Sequence, residues 1–402
     1  MTHLLTVLGT SNYSVARYTW QEQQVETRFV AEALCKLFQV DRVTVLLTKE
    51  AKEKNWDAFQ QQLGDRVQAK DIPSGRTESE IWQIFDAVVD VVVPGEQVIF
   101  DITSAFRSIP ILVLLAAAFL QKARDVKIQG VYYGAFEINP PAPPIFDLTP
   151  AIKLLDWFTA TNQFIATGSS VEFSKLLSTI QQDFVRSNPS PSSLVKPLRL
   201  KQFGDRIEGI SRSIELIRSR DLLTEAAKLQ AIPLSQLQSE VGAFAKPFQL
   251  LLEQIQRDYG QFGLPDVDQA APEQVLQKQF LLLRWYVAKD LGTQAILLAR
   301  EWIVSVLCVE ERIDYLDREI RLQIEYQLGS MIGRTPQLQQ PIARHVVSAA
   351  ALATLWKDLA KYRNNIAHTQ MHKRSLSTVQ LQHYVQQKLL LELTLVFPKQ
   401  AV

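Results

Sequence analysis

The chain is poor in the residues that build covalent and metal-based sites. It has two cysteines, Cys35 and Cys308. Both sit in apolar helical patterns, which excludes a disulfide framework and predicts small buried thiols in a reducing, cytoplasmic setting. Five histidines are scattered over 402 residues with no H-E-x-x-H, and C-x-x-C is missing too, so no metal site is expected. His368 and His372 stand four apart without a carboxylate or thiol nearby, and they do not change that expectation. No G-x-G-x-x-G follows the first apolar run and no G-x-x-x-x-G-K-[ST] occurs, so the fingerprints of dinucleotide and P-loop sites are missing. G-x-S-x-G is absent as well, and with it the signature of one class of serine hydrolase.

An excess of either charge is also lacking. With 43 Lys and Arg against 42 Asp and Glu the net charge is +1, which argues neither for nor against nucleic acid, since a local patch hides in a neutral total. No cationic segment leads into an apolar stretch at the N-terminus, so no signal peptide is expected. The longest apolar run, residues 109–120, contains Pro110 and is too short for a bilayer, so no membrane is expected either. A hydrophobic content of 47% with 21% charged residues is that of an ordinary globular protein, and the length predicts two or three domains.

In chain order, residues 3–8, 42–48, 67–72, 97–102 and 127–133 read as buried strands. Residues 22–38, 49–63, 77–92 and 109–122 read as the helices between them. Thr77 is placed to cap its helix, with Glu78 and Glu80 at the positive end of the dipole. This alternation predicts a parallel sheet covered on both faces, a Rossmann-like α/β domain over residues 1–150. Ligands in such folds sit at the carboxyl ends of the strands. Three loops there are rich in hydroxyls, an amide and two arginines, namely residues 9–13, 74–77 and 103–108. Asp101, at the end of the fourth strand, suits either chemistry or the ordering of its own loop.

A proline-rich stretch, residues 138–144, marks the far edge of this domain, with 145–148 as a last short strand. Beyond it the pattern is helical. Helices are expected at 150–166 and 171–185, a linker at 186–197, and a helical stretch in two pieces at 198–259. Five long helices follow at 273–291, 293–309, 314–328, 342–369 and 376–396. Residues 151–272 are read as a helical connector and 273–402 as an all-α domain. Near the end of the latter, Arg363-Asn364-Asn365-Ile366-Ala367-His368 places Asn364 and His368 on one helix face. Arg363 and His368, five apart, stand about 140° apart round an ideal helix. Either the two asparagines distort the helix or a partner chain completes the site. An imidazole beside a guanidinium suits metal-free RNA cleavage, with the 2′-hydroxyl as nucleophile.

Taken together, the two halves resemble the CARF–HEPN effector ribonucleases of type III CRISPR systems. In the first half the resemblance rests on Gly9-Thr10-Ser11-Asn12-Tyr13, Ser74-Gly75-Arg76-Thr77-Glu78, the stretch from Asp101-Ile102-Thr103-Ser104 to Pro110, and Tyr132-Tyr133-Gly134-Ala135-Phe136-Glu137. In the second half it rests on the R-x4-6-H pattern of Arg363 and His368 and on the helix containing Thr293 to Glu301. The resemblance implies a CARF domain that binds a cyclic oligoadenylate, most often the tetra-adenylate, across the twofold axis of a homodimer. It implies a HEPN domain that then cuts single-stranded RNA without a metal or cofactor, leaving a 2′,3′-cyclic phosphate. Dimers of such proteins sometimes assemble further, and some members also degrade the messenger in the CARF pocket. The catalytic positions fall on Arg363, Asn364 and His368. The ligand-binding positions fall on Thr10, Ser11, Asn12, Arg76, Thr77, Thr103, Ser104, Phe106, Arg107 and Ser108. The competing reading from another class is a CARF-type sensor whose helical half binds nucleic acid or protein without cutting. A nicotinamide-dependent enzyme, the third, lacks its fingerprint.

Overall fold

The structure, a computed structural model, describes residues 1–104, 108–187, 198–244, 248–332, 337–369, 371, 373 and 375–400. The chain forms two compact units, Met1–Asp156 and Trp157–Val402.

The first unit begins with β1 (Thr2–Leu8), a hairpin of β2 (Ala16–Trp20) and β3 (Gln23–Thr27), and α1 (Val30–Phe38). It continues through β4 (Arg42–Leu47), α2 (Lys49–Leu63), β5 (Val67–Asp71), α3 (Glu78–Val91), β6 (Gln97–Asp101), α4 (Ser108–Ala123), β7 (Lys127–Gly134) and β8 (Ile145–Asp147). The main sheet has the order β5-β4-β1-β6-β7-β8. All neighbours are parallel except β8, which runs antiparallel to β7 at the edge. On one face Leu4, Leu8 and Val45 pack with Val30, Leu34 and Phe59 of α1 and α2. On the other, Leu5, Val7 and Phe100 pack with Ile84 and Val88 of α3 and with Val113 and Leu120 of α4. A strand covered on both faces reads as a continuous apolar run, and β1, buried from His3 to Leu8, does so. Chain order reverses at β1, between β4 and β6, and this sets the switch point where such sheets bind ligands.

One expected element is wrong. Residues 23–27, read as the start of a helix at 22–38, form strand β3 paired with β2, and α1 begins only at Val30. The hairpin turns at Gln21 and Glu22 with Gln21 in the left-handed region (φ 53°), so the turn lacks the Asn-Gly or Asp-Gly signal. The proline-rich stretch is also more than an edge. Prolines cannot donate but their carbonyls accept, and Arg17 and Thr19 of β2 donate to the carbonyls of Pro141 (3.2 Å) and Pro143 (2.9 Å).

The second unit is entered along α5 (Thr149–Thr167). It then runs through α6 (Val171–Ser187), α7 (Leu198–Glu215), α8 (Ser219–Gln230), α9 (Leu234–Phe244), α10 (Gln249–Gly260), α11 (Pro272–Ala288), α12 (Gly292–Glu310) and α13 (Arg318–Ser330). A short 3₁₀ turn (Pro341–His345) precedes α14 (Ala349–Ala367), and α15 (Thr378–Tyr384) passes through a π-helical turn (Val385–Leu389) into α16 (Leu390–Val396). Residues 198–259 thus make four helices rather than two. The first break falls at Ile217, whose φ of 57° no helix accommodates. Nor does the helix expected at 342–369 start there, because the Ser348 hydroxyl accepts from Ala351 N (3.2 Å) and caps α14. By length and composition α12 is able to cross a membrane. Here Trp302, Ile303, Val306 and Leu307, all fully buried, make it the core helix of the unit.

At the amino ends of the strands a polar cluster closes the first unit. His3, fully buried, reaches Thr44 Oγ1 (2.8 Å) and Glu96 Oε2 (3.3 Å), and Glu96 is gripped by Arg42 (2.9 Å for each of two bonds). Burial, and after it the Arg42 charge, holds the imidazole below its usual 6.5, against the opposing pull of Glu96. The folded chain therefore binds this proton less well than the unfolded chain. Just below pH 6.5 unfolding takes up a proton, and acid favours the unfolded state. Stability to urea is expected to fall as pH drops from 7 toward 5.5, above the carboxylate range, with His3→Gln losing part of that slope. An unchanged slope in the variant would assign the sensitivity to another group.

Candidate functional site

The loop after β1 is held from outside by α2. Asn55 donates to the carbonyls of Gly9 (2.9 Å) and Ser11 (3.1 Å), and Lys54 donates to that of Thr10 (2.6 Å). Gly9 N donates to the Tyr13 hydroxyl (2.9 Å), whose ring packs on Phe29 at 5.0 Å. With its backbone acceptors engaged, the loop presents the side chains of Thr10, Ser11 and Asn12 to the ends of the strands.

The neighbouring loop is set by Asp101. This fully buried carboxylate accepts from the Thr6 hydroxyl (2.6 Å) and from Thr103 N (3.0 Å). Burial raises its pKa, while the bonds from Thr103 and Thr6 oppose the rise. Its oxygens are engaged in joining β6 to β1 and turning the loop, the ordering role rather than the chemical one. Thr103 is structural on its side-chain side too, since its hydroxyl accepts from Gly134 N (2.8 Å). Phe106 and Arg107 lie outside the described residues, as does the side chain of Ser108.

Two adjoining clefts open here, and Ser11 and Ser104 line both. One is bounded by Gly9, Thr10, Thr48, Ala51, Ile72 and Ile109. The other is bounded by Asn12, Tyr13, Tyr18, Arg28, Tyr133 and Glu137, with Thr103 and Phe136. Of the expected ligand contacts, Thr10, Ser11, Asn12, Thr103 and Ser104 come together. Arg76 and Thr77 line neither cleft. Thr77 caps α3 by accepting from Glu80 N (3.2 Å), and Arg76 is exposed beside it, its own N–H donating to Glu80 (2.8 Å). Glu50, held below its usual value by its own backbone N–H and then by the Thr48 hydroxyl, is lowered further by the Arg76 charge.

Sequence reasoning missed the cation of the second cleft. Arg28 joins β3 to α1 and enters the site only because residues 16–27 form a hairpin. Tyr133, at the end of β7, donates to Glu137 (3.2 Å), and the motif that contains both gives no sign of this contact. The second cleft therefore combines a guanidinium, an amide, serine hydroxyls, aromatic faces and a carboxylate. That set is suited to phosphate, ribose and base at once.

In the second unit, α14 is fixed by Arg300 of α12. Its guanidinium bonds Glu325 of α13 (2.6 and 3.3 Å) and lies 4.8 Å over the Trp356 ring of α14. The last turns of α14 carry Arg363, Asn364 and His368, all exposed. Arg363 donates to Asn364 Oδ1 (3.0 Å), and His368 caps the helix, its N–H donating to Asn364 O (3.0 Å). Of the two alternatives, a distortion at the asparagines is not found, for α14 runs helical through Ala367. Asn365 is instead buried and structural. It donates to Lys361 O and accepts from Leu376 N, both at 2.8 Å, which stitches the segment after the helix onto it. Within one chain Arg363 and His368 thus remain about 140° apart round the helix. Among the described residues no group of three His, Cys, Asp or Glu is placed to share a metal ion.

Comparison with known proteins agrees with the two-part layout. Residues 3–137 match the family of the CARF domain of the CRISPR system endoribonuclease Csx1, and residues 153–266 match the second domain of the CRISPR-associated protein MJ1674. MJ1674 of Methanocaldococcus jannaschii is itself 24% identical over 312 residues, 76% of this chain and 43% of its own length. The chain therefore spans less than half of that relative. Csm6 of Enterococcus italicus, solved bound to cyclic hexa-2′-fluoro-hexa-dAMP, superposes at a TM-score of 0.36 with 11% identity, over 99% of this chain and 95% of that one. That superposition is too weak to carry an argument. Residues 3–137 are thus similar to the Csx1-type CARF domain and residues 153–266 to the second domain of a CRISPR-associated protein.

Proposed function

We propose that the protein is an endoribonuclease switched on by a cyclic oligoadenylate. The observation that carries the reading is the pair of clefts meeting at Ser11 and Ser104, at the sheet's switch point, with Arg28 facing the second. Serine hydroxyls and a guanidinium supply what a phosphodiester needs, and Asn12, Tyr133 and Phe136 what a purine needs. The tetra-adenylate, the ring implied by the resemblance, takes up a twofold site. A second copy is supported by α4, whose solvent face carries Ile111, Leu115 and Phe119, each more than half exposed. Apolar faces of this kind mark association surfaces.

The second unit is read as the HEPN nuclease, cutting single-stranded RNA without a metal. The 2′-oxygen attacks phosphorus as His368 takes its proton. The 5′-oxygen leaves with a proton from the second copy's imidazole, and Arg363 stabilises the charge on the phosphoryl oxygens. The products are a 2′,3′-cyclic phosphate and a 5′-hydroxyl. The 140° between Arg363 and His368 favours a site composed from two copies. The same separation would suit a sensor that binds without cutting, so cleavage is the deciding measurement.

Cyclic tetra-adenylate is expected to raise the melting temperature of the wild type, with Arg28→Ala weakening the ring by roughly tenfold or more through loss of a charge-assisted contact. No shift with rings of any size would remove the sensor reading. In EDTA, ring-stimulated cleavage of single-stranded RNA is expected to fall about 100-fold or more in His368→Ala and in Arg363→Ala, the range for a lost proton-transfer or charge-stabilising group. Cleavage as fast in His368→Ala as in wild type would overturn the catalytic assignment, and binding without cutting would install the sensor in its place.

A further inference from the structure

The face of α14 that ends at His368 continues backwards along the helix. On 100° per residue, Lys357, Lys361, Asn364 and His368 fall within about 60° of one another. All four are exposed. The only acid on α14, Asp358, borders this face, about 100° from Lys357 and about 60° from Lys361. It is half-buried and turned elsewhere, its charge acting on Tyr362, Tyr384 and Glu392. The face is therefore cationic without an interleaved carboxylate.

Several arginines of this unit are paired with acids. Arg206, Arg300, Arg321 and Arg344 each hold a carboxylate. Among the described residues, Lys357, Lys361 and Arg363 form no ion pair. Lys361 lies 5.7 Å from the Tyr362 ring and Arg363 bonds the Asn364 amide. Exposed lysines late in a helix also offset the negative end of its dipole, an effect confined to the last turn. Lys357 and Lys361 stand one and a half turns or more before the end of α14, beyond that reach.

We propose that Lys357 and Lys361 form a phosphate track that leads single-stranded RNA along α14 to His368. The inference rests on the nuclease reading for the role of His368 but not for the binding itself. One turn separates the two ammonium groups, and a further turn and a half to two turns reaches the imidazole, so successive phosphates meet cations on the approach to the scissile bond. The track carries no base-reading group, so it binds sequence-independently. Asn364 and His368 remain to contact the reacting nucleotide.

The test uses the full chain with cyclic tetra-adenylate present. RNA affinity of His368→Ala, which needs no cleavage, is measured by fluorescence anisotropy of a labelled single strand from about 50 to about 200 mM salt. Adding Lys357→Gln and Lys361→Gln is expected to weaken binding roughly tenfold at the low end and to reduce the salt slope by about 1.4, two contacts at about 0.7 each. In the otherwise wild-type chain the same pair of changes is expected to raise KM rather than lower kcat, with the melting temperature unmoved. An unchanged slope overturns the track, and so does an equal loss in Arg284→Gln, an exposed cation on α11, because the effect would then be one of net charge. RNA bound with the expected slope but never cut would leave the track standing and remove the nuclease. A wild type that binds no RNA removes both.

Discussion

The first unit depends on one buried carboxylate. Asp101 at the end of β6 would be costly in an apolar core, but Thr6 on β1 and the backbone of Thr103 satisfy it. The Thr6 bond clasps β6 to β1, the strand at which the chain order reverses. From Thr103 the tie passes on to Gly134 at the end of β7. Three strand ends are thus fixed in register by consecutive hydrogen bonds, and the residues around both clefts hang from them. Ser11 and Ser104 meet because β1 and β6 are clasped, and Tyr133 reaches the second cleft because β7 is tied to the same loop. The proton-transfer group suggested by the position of Asp101 is, by its partners, the keystone of the site rather than its reagent.

The second unit solves a different problem, holding an exposed polar helix end steady. Its core helix α12 supplies the buried apolar mass, and Arg300 at its edge reaches α13 through Glu325 and α14 through Trp356. One guanidinium therefore joins three helices, by a charge-assisted pair on one side and a cation–π contact on the other. Further along α14, Asn365 spends both ends of its amide on backbone groups, one on its own helix and one on the segment that follows. Asn364, next to it, and Arg363 are left exposed by the same turn that buries Asn365. Arg363, Asn364 and His368 are displayed on a helix whose rotation is fixed from within.

How much of this was legible from the chain alone depended on the range of the interaction. The alternation of apolar runs in residues 42–133 gives the sheet and its helices because its central strands, β4 and β6, are buried on both faces. The Thr77 cap was readable because a cap acts over three residues. Gln21 and Glu22 carry no turn chemistry, so the hairpin was hidden, and with it the placement of Arg28 beside Asn12 and Tyr133. Arg76 and Thr77 looked like ligand residues because they sit in a strand-end loop, yet that loop follows β5, at the edge of the sheet and two strands from β1. Position in the sheet order, which decides which loops meet, is a long-range property. For α14 the spacing located the exposed face correctly, while the inward turn of Asn365 depends on Leu376, across a loop the periodicity does not register.

Each unit, taken by itself, leaves something unmet, and both deficits call for the same remedy. In the first, α4 offers Ile111, Leu115 and Phe119 to solvent, and it begins directly after the loop that carries Ser104. Burying that face against a copy of itself removes apolar surface from water at roughly 25 cal/mol per Å² and brings a second set of strand-end loops beside the first. In the second, a regular helix holds Arg363 and His368 too far round from each other to act on one phosphate. On the proposed reading, a twofold axis near the end of α14 would supply the opposite member of each pair from the other chain. On the proposed reading, a ligand that alters how two copies meet in the first unit would change how the two imidazoles and guanidiniums meet in the second. Activation, on that reading, is an equilibrium between two arrangements of a dimer, which a ring ligand would shift only by the difference between its affinities for the two.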